Sequence, residues 1–456
     1  MKNYDVIVIG SGAGAIISDE SAAQGLKTAL IDKGPLVGGT CLNWGCIPSK
    51  MLIYTADRIV EIEEAKKLGI EAEIKSIDFH SIMERMRKSR QEDQVHIREG
   101  LKQSKNLDFY EGEGYFVGDY LLEVNGEKLK GEKIFIASGS RPFIPPIKGS
   151  DNIDYLTNES VLELKEKPDS LIIIGGGYIA VEFGHFFAAM GTKVTILEMA
   201  DRMVLSEEPE ISELLKNELS KRMVVHTNAL VEEVKQSGHG VVVFAKDTNS
   251  GKRREFNAQR IMMAVGRRSN ADILKVENTG LEIDKKGFIK VSEYLETNRK
   301  GIFAIGDANG QQMFRHMANR EAEIVAQNSF YGTDIKVDYS AVPHAVYSHP
   351  QVASVGMTEA QAREGYDVLI GRMKYFDIAK GEAMMEKEGF AKAIVEKGSN
   401  RILGFHIIGP YAPELIQEVV NAITSGGGME ELEQGIHIHP ALSELVQYTL
   451  NSLEDS

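Results

Sequence analysis

Cys41 and Cys46 are the only cysteines of the 456-residue chain, separated by Leu-Asn-Trp-Gly and preceded by Gly38-Gly39-Thr40. That spacing after a glycine turn places both thiols in the first turns of a helix, where they can close to a disulfide, reopen and exchange with an incoming sulfur. A metal centre would need further ligands, and no histidine lies near them in sequence. Two inert buried thiols would not account for the glycine turn ahead of them. Redox exchange is therefore the expected chemistry.

Two further stretches are built to hold phosphate. Gly10, Gly12 and Ala15, with Gly14 between them, match G-x-G-x-x-G/A after the apolar run Tyr4 to Ile9 and before a helix to Gln24; Asp32 closes the next strand, Lys27 to Asp32. Glycines there permit a tight turn and close approach of a pyrophosphate to the helix N-terminus, and the carboxylate suits a ribose hydroxyl. The pattern returns at Gly175, Gly177 and Ala180, between a strand Leu171 to Ile174 and a helix Tyr178 to Met190, with Glu198 ending the strand from Lys193. Glu198 favours NAD over NADP, whose 2′-phosphate would want an arginine; Arg202 lies further along the loop. Two fingerprints imply two bound dinucleotides.

These elements need a large scaffold. The length predicts two to four domains, and 43% hydrophobic with 26% charged residues is ordinary globular usage. With 52 Lys+Arg against 67 Asp+Glu the net charge is −15, which disfavours nucleic acid and anionic lipid as partners. No secretory pattern precedes the first strand, and the apolar stretch Leu171 to Gly191 carries glycines, Glu182 and His185, so neither export nor a membrane span is expected. A reducing cytoplasm fits the cysteine content. Between the fingerprints lie a long helix-spaced region (Phe79 to Lys105), strands from Leu107 to Ile136, and a linker at Pro145-Pro146. Strands at Val241 to Phe244 and Arg260 to Ala264 follow, then Gly301 to Asp307 opening another helix. From Ala341 the pattern is α+β without a third glycine fingerprint.

Gly38-Gly-Thr-Cys-Leu-Asn-Trp-Gly-Cys-Ile-Pro-Ser-Lys50 resembles the redox-helix signature of the flavoprotein disulfide reductases, the group holding dihydrolipoamide dehydrogenase, glutathione reductase and mycothione reductase. Trp44 stands where many members have Val. The resemblance spans essentially the whole chain in order, through Ala137-Ser-Gly139, the second fingerprint, Ala264-Val-Gly266, Gly306-Asp307 and a C-terminal interface domain. It implies an α/β fold of two Rossmann-like dinucleotide-binding domains, for FAD and NAD, plus a C-terminal α+β dimerisation domain. The expected divisions are 1–147 (FAD, with the cysteine pair), 148–268 (NAD(P)), 269–338 (second part of the FAD or central domain) and 339–456 (interface).

By the same resemblance, FAD lies across Gly10, Gly12, Gly14, Ala15, Asp32, Lys33, Gly39, Thr40, Lys50, Gly114, Ser138, Gly139, Ser140 and Asp307, with Met313, Phe314, Arg315 and His316 lining the flavin. NAD falls to Gly175, Gly177, Tyr178, Ile179, Ala180, Glu182, Glu198 and Gly266. Lys50, paired with Glu182, places an ammonium near the flavin and a thiolate. In His437-Ile-His-Pro-Ala-Leu-Ser-Glu444, His439 is the implied acid/base and Glu444 orients it. His349-Pro350 lacks a glutamate in that register and is read as structural. No metal is expected. The implied activity is electron transfer between NAD(H), FAD, the Cys41/Cys46 pair and a small dithiol or disulfide, by a homodimer. Glu198 and the redox helix favour a dihydrolipoamide dehydrogenase, with a lipoyl domain as a candidate partner. Tyr178, Ala441 and His316-Met-Ala-Asn-Arg-Glu-Ala lean towards a mycothione-reductase-like enzyme. A non-catalytic FAD-binding scaffold is the reading from another class.

Overall fold

Val6, Ile7 and Val8 have no solvent contact, because the strand that carries them, β1 (Lys2–Ile9), is paired on both edges and covered on both faces. Consecutive apolar residues are what a central parallel strand requires. The computed structural model describes residues 1–238 and 240–455. After β1 come helix α1 (Gly14–Ala23), strand β2 (Thr28–Asp32), helices α2 (Gly39–Trp44) and α3 (Cys46–Glu64), and, beyond a long helix at Phe79–Gln103, strand β3 (Glu127–Ile136). β1 lies between β2 and β3, parallel to both. The sheet is extended by Leu107–Glu111 beside β2, by an antiparallel hairpin on β3, and by the distant Ile302–Ala304, which returns to pair with Ile134–Ile136.

The second unit repeats the opening with β4 (Ser170–Ile174), α4 (Tyr178–Ala189) and β5 (Lys193–Leu197) in a four-stranded parallel sheet. An antiparallel sheet of Ala229–Ser237, Gly240–Asp247 and Arg253–Ala258 stands beside it. Helix α5 (Arg315–Tyr331) then leads to β6 (His344–Val346), the edge of a six-stranded C-terminal sheet whose inner strands include Val352–Gly356, Ile402–Ile408 and Phe390–Glu396; helix α6 (Glu444–Asn451) packs near its far side. The three units are held by a shared apolar cluster that takes Leu52 and Ala56 from α3, Phe183 and Phe186 from α4, and Val346, Val352 and Ile408 from the C-terminal sheet. Buried ions add to that junction. Lys392 Nζ lies 2.8 Å from Glu208 and 2.7 Å from Glu359, and His344 Nε2 lies 2.6 Å from Glu207.

Two local expectations are corrected. The cysteines do not share one helix: α2 ends at Trp44, Gly45 leaves helical geometry with ψ −117°, and Cys46 is the first residue of α3. The segment Gly301 to Asp307 does not open the next helix directly, since a short 3₁₀ turn at Gly306–Ala308 intervenes and α5 begins only at Arg315. Among the described residues no helix is long and apolar enough to cross a membrane.

Candidate functional site

One cavity runs along the first unit, from the β1–α1 turn to the start of α4. At its inner end Gly10 adopts φ +103°, and a Cβ there would lie 2.2 Å from the Ala137 carbonyl oxygen, so only glycine permits the turn. Helix α1 follows with no side-chain cap and no acidic residue in its first turn. Ala15 and Ile16 donate to the Gly12 and Ala13 carbonyls at 3.3 and 3.1 Å, and the positive end of the helix still faces the cavity, where it suits an anion. Asp32 ends β2 beside this turn, its Oδ2 accepting the Ser11 N–H at 2.8 Å and its Oδ1 the Gly34 N–H at 3.0 Å. Across the cavity Ser140 donates to Asp307, and Arg267 Nε donates to Ser140 Oγ at 2.7 Å while standing 3.6 Å from Asp307 Oδ2. The fit to a dinucleotide rests on two further observations. Ser138 Oγ is buried without a hydrogen-bond partner among the described residues. Arg315 is the one arginine for which no hydrogen bond or ion pair occurs among the described residues, and its Nη1 lies 3.6 Å from where a Gly12 Cβ would stand. A hydroxyl-bearing, doubly charged ligand would answer both.

The outer end holds the sulfur chemistry. Cys41 is half-buried on α2 and Cys46 is exposed at the N-terminus of α3. A hydrogen bond between the two thiols raises Cys41, with burial adding to the rise, and lowers Cys46 to about 7, helped by the positive charge of Lys50. Residue i+4 on α3 is Lys50, whose Nζ reaches both carboxylate oxygens of Glu182 at 2.8 Å. Glu182 sits on α4, so the pair joins the first and second units beside Cys46. Tyr178, first residue of α4, lines the same cavity, and burial raises its phenol.

Of the expected FAD residues, Gly10, Gly12, Asp32, Lys33, Gly39, Thr40, Lys50, Gly114, Ser138, Gly139, Ser140, Asp307, Met313 and Arg315 line this cavity, together with Cys41, Cys46, Tyr178, Ile179 and Glu182. Gly14 and Ala15 stand behind the lining; a Cβ on Gly14 would lie 2.8 Å from Val8, which makes it a helix-to-sheet packing position. Phe314 and His316 do not line the cavity. Phe314 is stacked between His316 and His344, with centroids 5.5 and 5.8 Å away, and His316 Nε2 donates to the Pro343 carbonyl at 2.8 Å. Alternate residues at the start of α5 thus face opposite ways, Met313 and Arg315 inward, Phe314 and His316 towards the C-terminal domain.

Gly175, Gly177 and Glu198 form a second turn, in which Gly177 is exposed and Gly175 buried, while Ala180 lies fully buried in the apolar core behind it. Gly175 has φ +108° with its would-be Cβ 2.3 Å from the Ala264 carbonyl oxygen, and Gly266 follows that carbonyl with φ +123°. Glu198 packs against Gly176 and accepts the Ala200 N–H at 2.6 Å; Arg202 turns to the Leu205 carbonyl instead. His439 is far more solvent-exposed, 68% for its side chain, and is absent from the cavity lining. Its Nδ1 is held 2.9 Å from Glu444 Oε1 on α6, and that bond lowers the Glu444 carboxyl. His349 bonds Glu64 at 3.2 Å, away from the cavity. Sequence reasoning missed Arg267 and Tyr347. Arg267 directly follows Ala264-Val-Gly266, a placement that could have flagged it; Tyr347 gave no motif signal.

A glycine turn under a carbonyl, a dithiol at the mouth of the same cavity and a second glycine turn beside it define a flavin- and nicotinamide-linked disulfide oxidoreductase. The chain belongs to the pyridine nucleotide-disulphide oxidoreductase family, which it matches over residues 4–322, with that family's dimerisation domain over residues 342–450. It therefore uses FAD and NAD(P)H. Over 99% of its length it is 35% identical to mycothione reductase of Mycobacterium tuberculosis, covering all of that protein, and over 97% it is 36% identical to dihydrolipoyl dehydrogenase of Geobacillus stearothermophilus, covering 94%. Among solved structures it is similar to the HOCl-induced flavoprotein disulfide reductase RclA from Escherichia coli, with a TM-score of 0.87, 30% identity and 99% of both chains covered.

Proposed function

We propose that the protein is a dihydrolipoyl-dehydrogenase-like enzyme that moves electrons between NAD(H), FAD, the Cys41/Cys46 pair and a small dithiol. The observation that carries this reading is the convergence of Cys46, Lys50 and Glu182 at the mouth of the cavity that Asp32 and Asp307 line. FAD and nicotinamide supply the hydride and electron transfer when bound. The chain's own residues do the rest. The uncapped α1 turn and Arg315 hold diphosphate charge, Asp32 and Asp307 hold ribose and ribityl hydroxyls, and Glu198 selects NAD through the 2′-hydroxyl. Cys41 exchanges with the substrate sulfur, and Cys46 is kept as a thiolate by the hydrogen bond from Cys41, helped by Lys50 and the start of α3.

His439, oriented by Glu444, takes and returns the substrate thiol proton. Its outward position supports a site shared across a homodimer, in which each His439 serves the cysteine pair of the other subunit. Mixing Cys41→Ser and His439→Ala subunits should then restore up to about half of wild-type activity in heterodimers, since both lesions fall in one composite site and the other stays intact. Exchange confirmed by mass with no return of activity would reject the shared site.

The domain divisions at 147/148, 268/269 and 338/339 and a cytoplasmic setting belong to the same proposal. So does a lipoyl domain as the carrier of the dithiol. A mycothione-reductase-like activity is the second reading, favoured by Tyr178 at the mouth of the cavity, where an aromatic lid can cover the flavin. Steady-state rates with NADH and NADPH against lipoamide, mycothiol, glutathione and coenzyme A disulfides decide between them, with lipoamide expected to give the highest kcat/KM. A scaffold role predicts no bleaching of the flavin by NADH; the dehydrogenase reading predicts full bleaching.

A further inference from the structure

We propose that Tyr347, carried in by the C-terminal domain, is a positioning residue that holds the Lys50–Glu182 pair in place beside Cys46. Tyr347 follows β6 directly, and it makes two contacts of different kinds. Its ring lies 4.5 Å from Lys50 Nζ, within cation–π range. Its backbone N–H donates to Glu182 Oε1 at 3.2 Å, the same oxygen that accepts from Lys50. One residue therefore touches both members of the pair.

The pair needs such a contact. Lys50 is long and about one third exposed, so the ammonium has solvent-directed rotamers available, whereas Glu182 is buried and cannot follow it. An aromatic face over the ammonium favours the inward rotamer, and the N–H takes part of the carboxylate's charge, which leaves more of the Lys50 field for Cys46. The tyrosine hydroxyl has no hydrogen-bond partner among the described residues, so the ring rather than the hydroxyl is the working part. The charged and titratable groups facing this spot are Cys41 from α2, Lys50 from α3, Glu182 and Tyr178 from α4, Arg315 at the start of α5 towards Cys41, and Glu414 beside Tyr347. Lys50 is the cation among them that acts on Cys46.

The inference rests on the reading of Lys50 as the cation that sustains the Cys46 thiolate, and the test separates the two. In the dithiol-reduced, FAD-loaded protein, the rate of Cys46 alkylation by iodoacetamide, resolved from Cys41 by fragmentation of the Gly34–Lys50 peptide that carries both, is followed against pH. Tyr347→Leu should raise the midpoint by roughly half a unit to one unit, about a three- to tenfold loss of thiolate below the midpoint, while Tyr347→Phe should leave it in place. Tyr347→Met serves the same purpose if the leucine variant does not fold. An unchanged or lowered midpoint in the leucine or methionine variant overturns the proposal, and so does a rise of equal size in the phenylalanine variant. Lys50→Met is the control: if it too leaves the midpoint unmoved, the underlying assignment of Lys50 has failed, and if it alone raises the midpoint, only Tyr347 has.

Discussion

Gly10 and Gly175 meet the same steric demand, with φ of +103° and +108° and a backbone carbonyl, of Ala137 or Ala264, where a Cβ would be. The helices that follow them, α1 and α4, both lack a side-chain cap. What surrounds the two turns differs. The first lies in a long cavity walled by residues from far along the chain, among them Arg267, Asp307 and Arg315. At the second, Glu198 packs against the buried Gly176, and Gly177 is exposed with nothing near its would-be Cβ. A walled turn suits a cofactor that stays, and an open one suits a cofactor that enters, reacts and leaves. Equal local sequence thus serves unequal residence, and the difference is made by what later elements add.

The largest test of that contrast is to put the same lesion in both turns. Gly10→Ala forces a Cβ into the Ala137 carbonyl in a backbone conformation that costs about 1–3 kcal/mol even without the clash. The protein should be recovered with little or no flavin and a lowered melting temperature. Gly175→Ala should keep a full complement of flavin, while its reduction by NADH slows about a hundredfold or more, roughly 2.7 kcal/mol. Flavin-to-protein absorbance ratios and stopped-flow bleaching measure the two. Loss of flavin from both variants would erase the distinction.

A smaller effect sharpens the second face alone. With Glu198 repelling a 2′-phosphate, NADH should exceed NADPH in kcat/KM by at least about tenfold, roughly 1.4 kcal/mol. Glu198→Ala should bring the two cofactors closer and leave flavin content unchanged. A wild-type preference for NADPH would sink the assignment.

The smallest expected change belongs to the first unit and is a matter of pH. The Cys46 thiol is depressed from its ordinary value of 9.0 to about 7, so the thiolate is present above that pH and is lost as pH falls through it. A Cys46 thiolate beside the flavin would give the two-electron-reduced enzyme a long-wavelength charge-transfer band, which should accordingly halve near pH 7, fade in acid and hold steady in alkali. Cys46→Ser should lack the band at every pH with flavin still bound. Titration of reduced enzyme by absorbance checks both, and a band insensitive between pH 6 and 8 contradicts the thiolate assignment.

Both glycine turns, the cysteine pair and the carboxylates closing β2 and β5 were legible in the chain, because each is a local demand: a left-handed backbone, a short spacing, a residue at a strand's end. Legibility stopped at facing direction. Phe314 and His316 belong to the same short stretch as Met313 and Arg315, and no periodicity separates them, yet His344 and Pro343 draw the first pair towards the C-terminal domain. The break at Gly45 was equally hidden, since a glycine within a helical run does not announce that the helix restarts at the next residue.

The sequence by itself therefore determined the chemistry available, namely two dinucleotide turns, one redox dithiol and a His439–Glu444 pair at the far end. It did so because these depend on neighbours a few residues away. The resemblance already paired Lys50 with Glu182, and the structure gives that contact its geometry; only the tertiary structure decided that Arg267 braces Ser140 beside Asp307 and that Tyr347 covers the lysine. Those contacts span more than a hundred residues of chain. They form because the shared apolar core docks α3, α4 and the C-terminal sheet together, and burial of that kind fixes which distant side chains end within reach of one another.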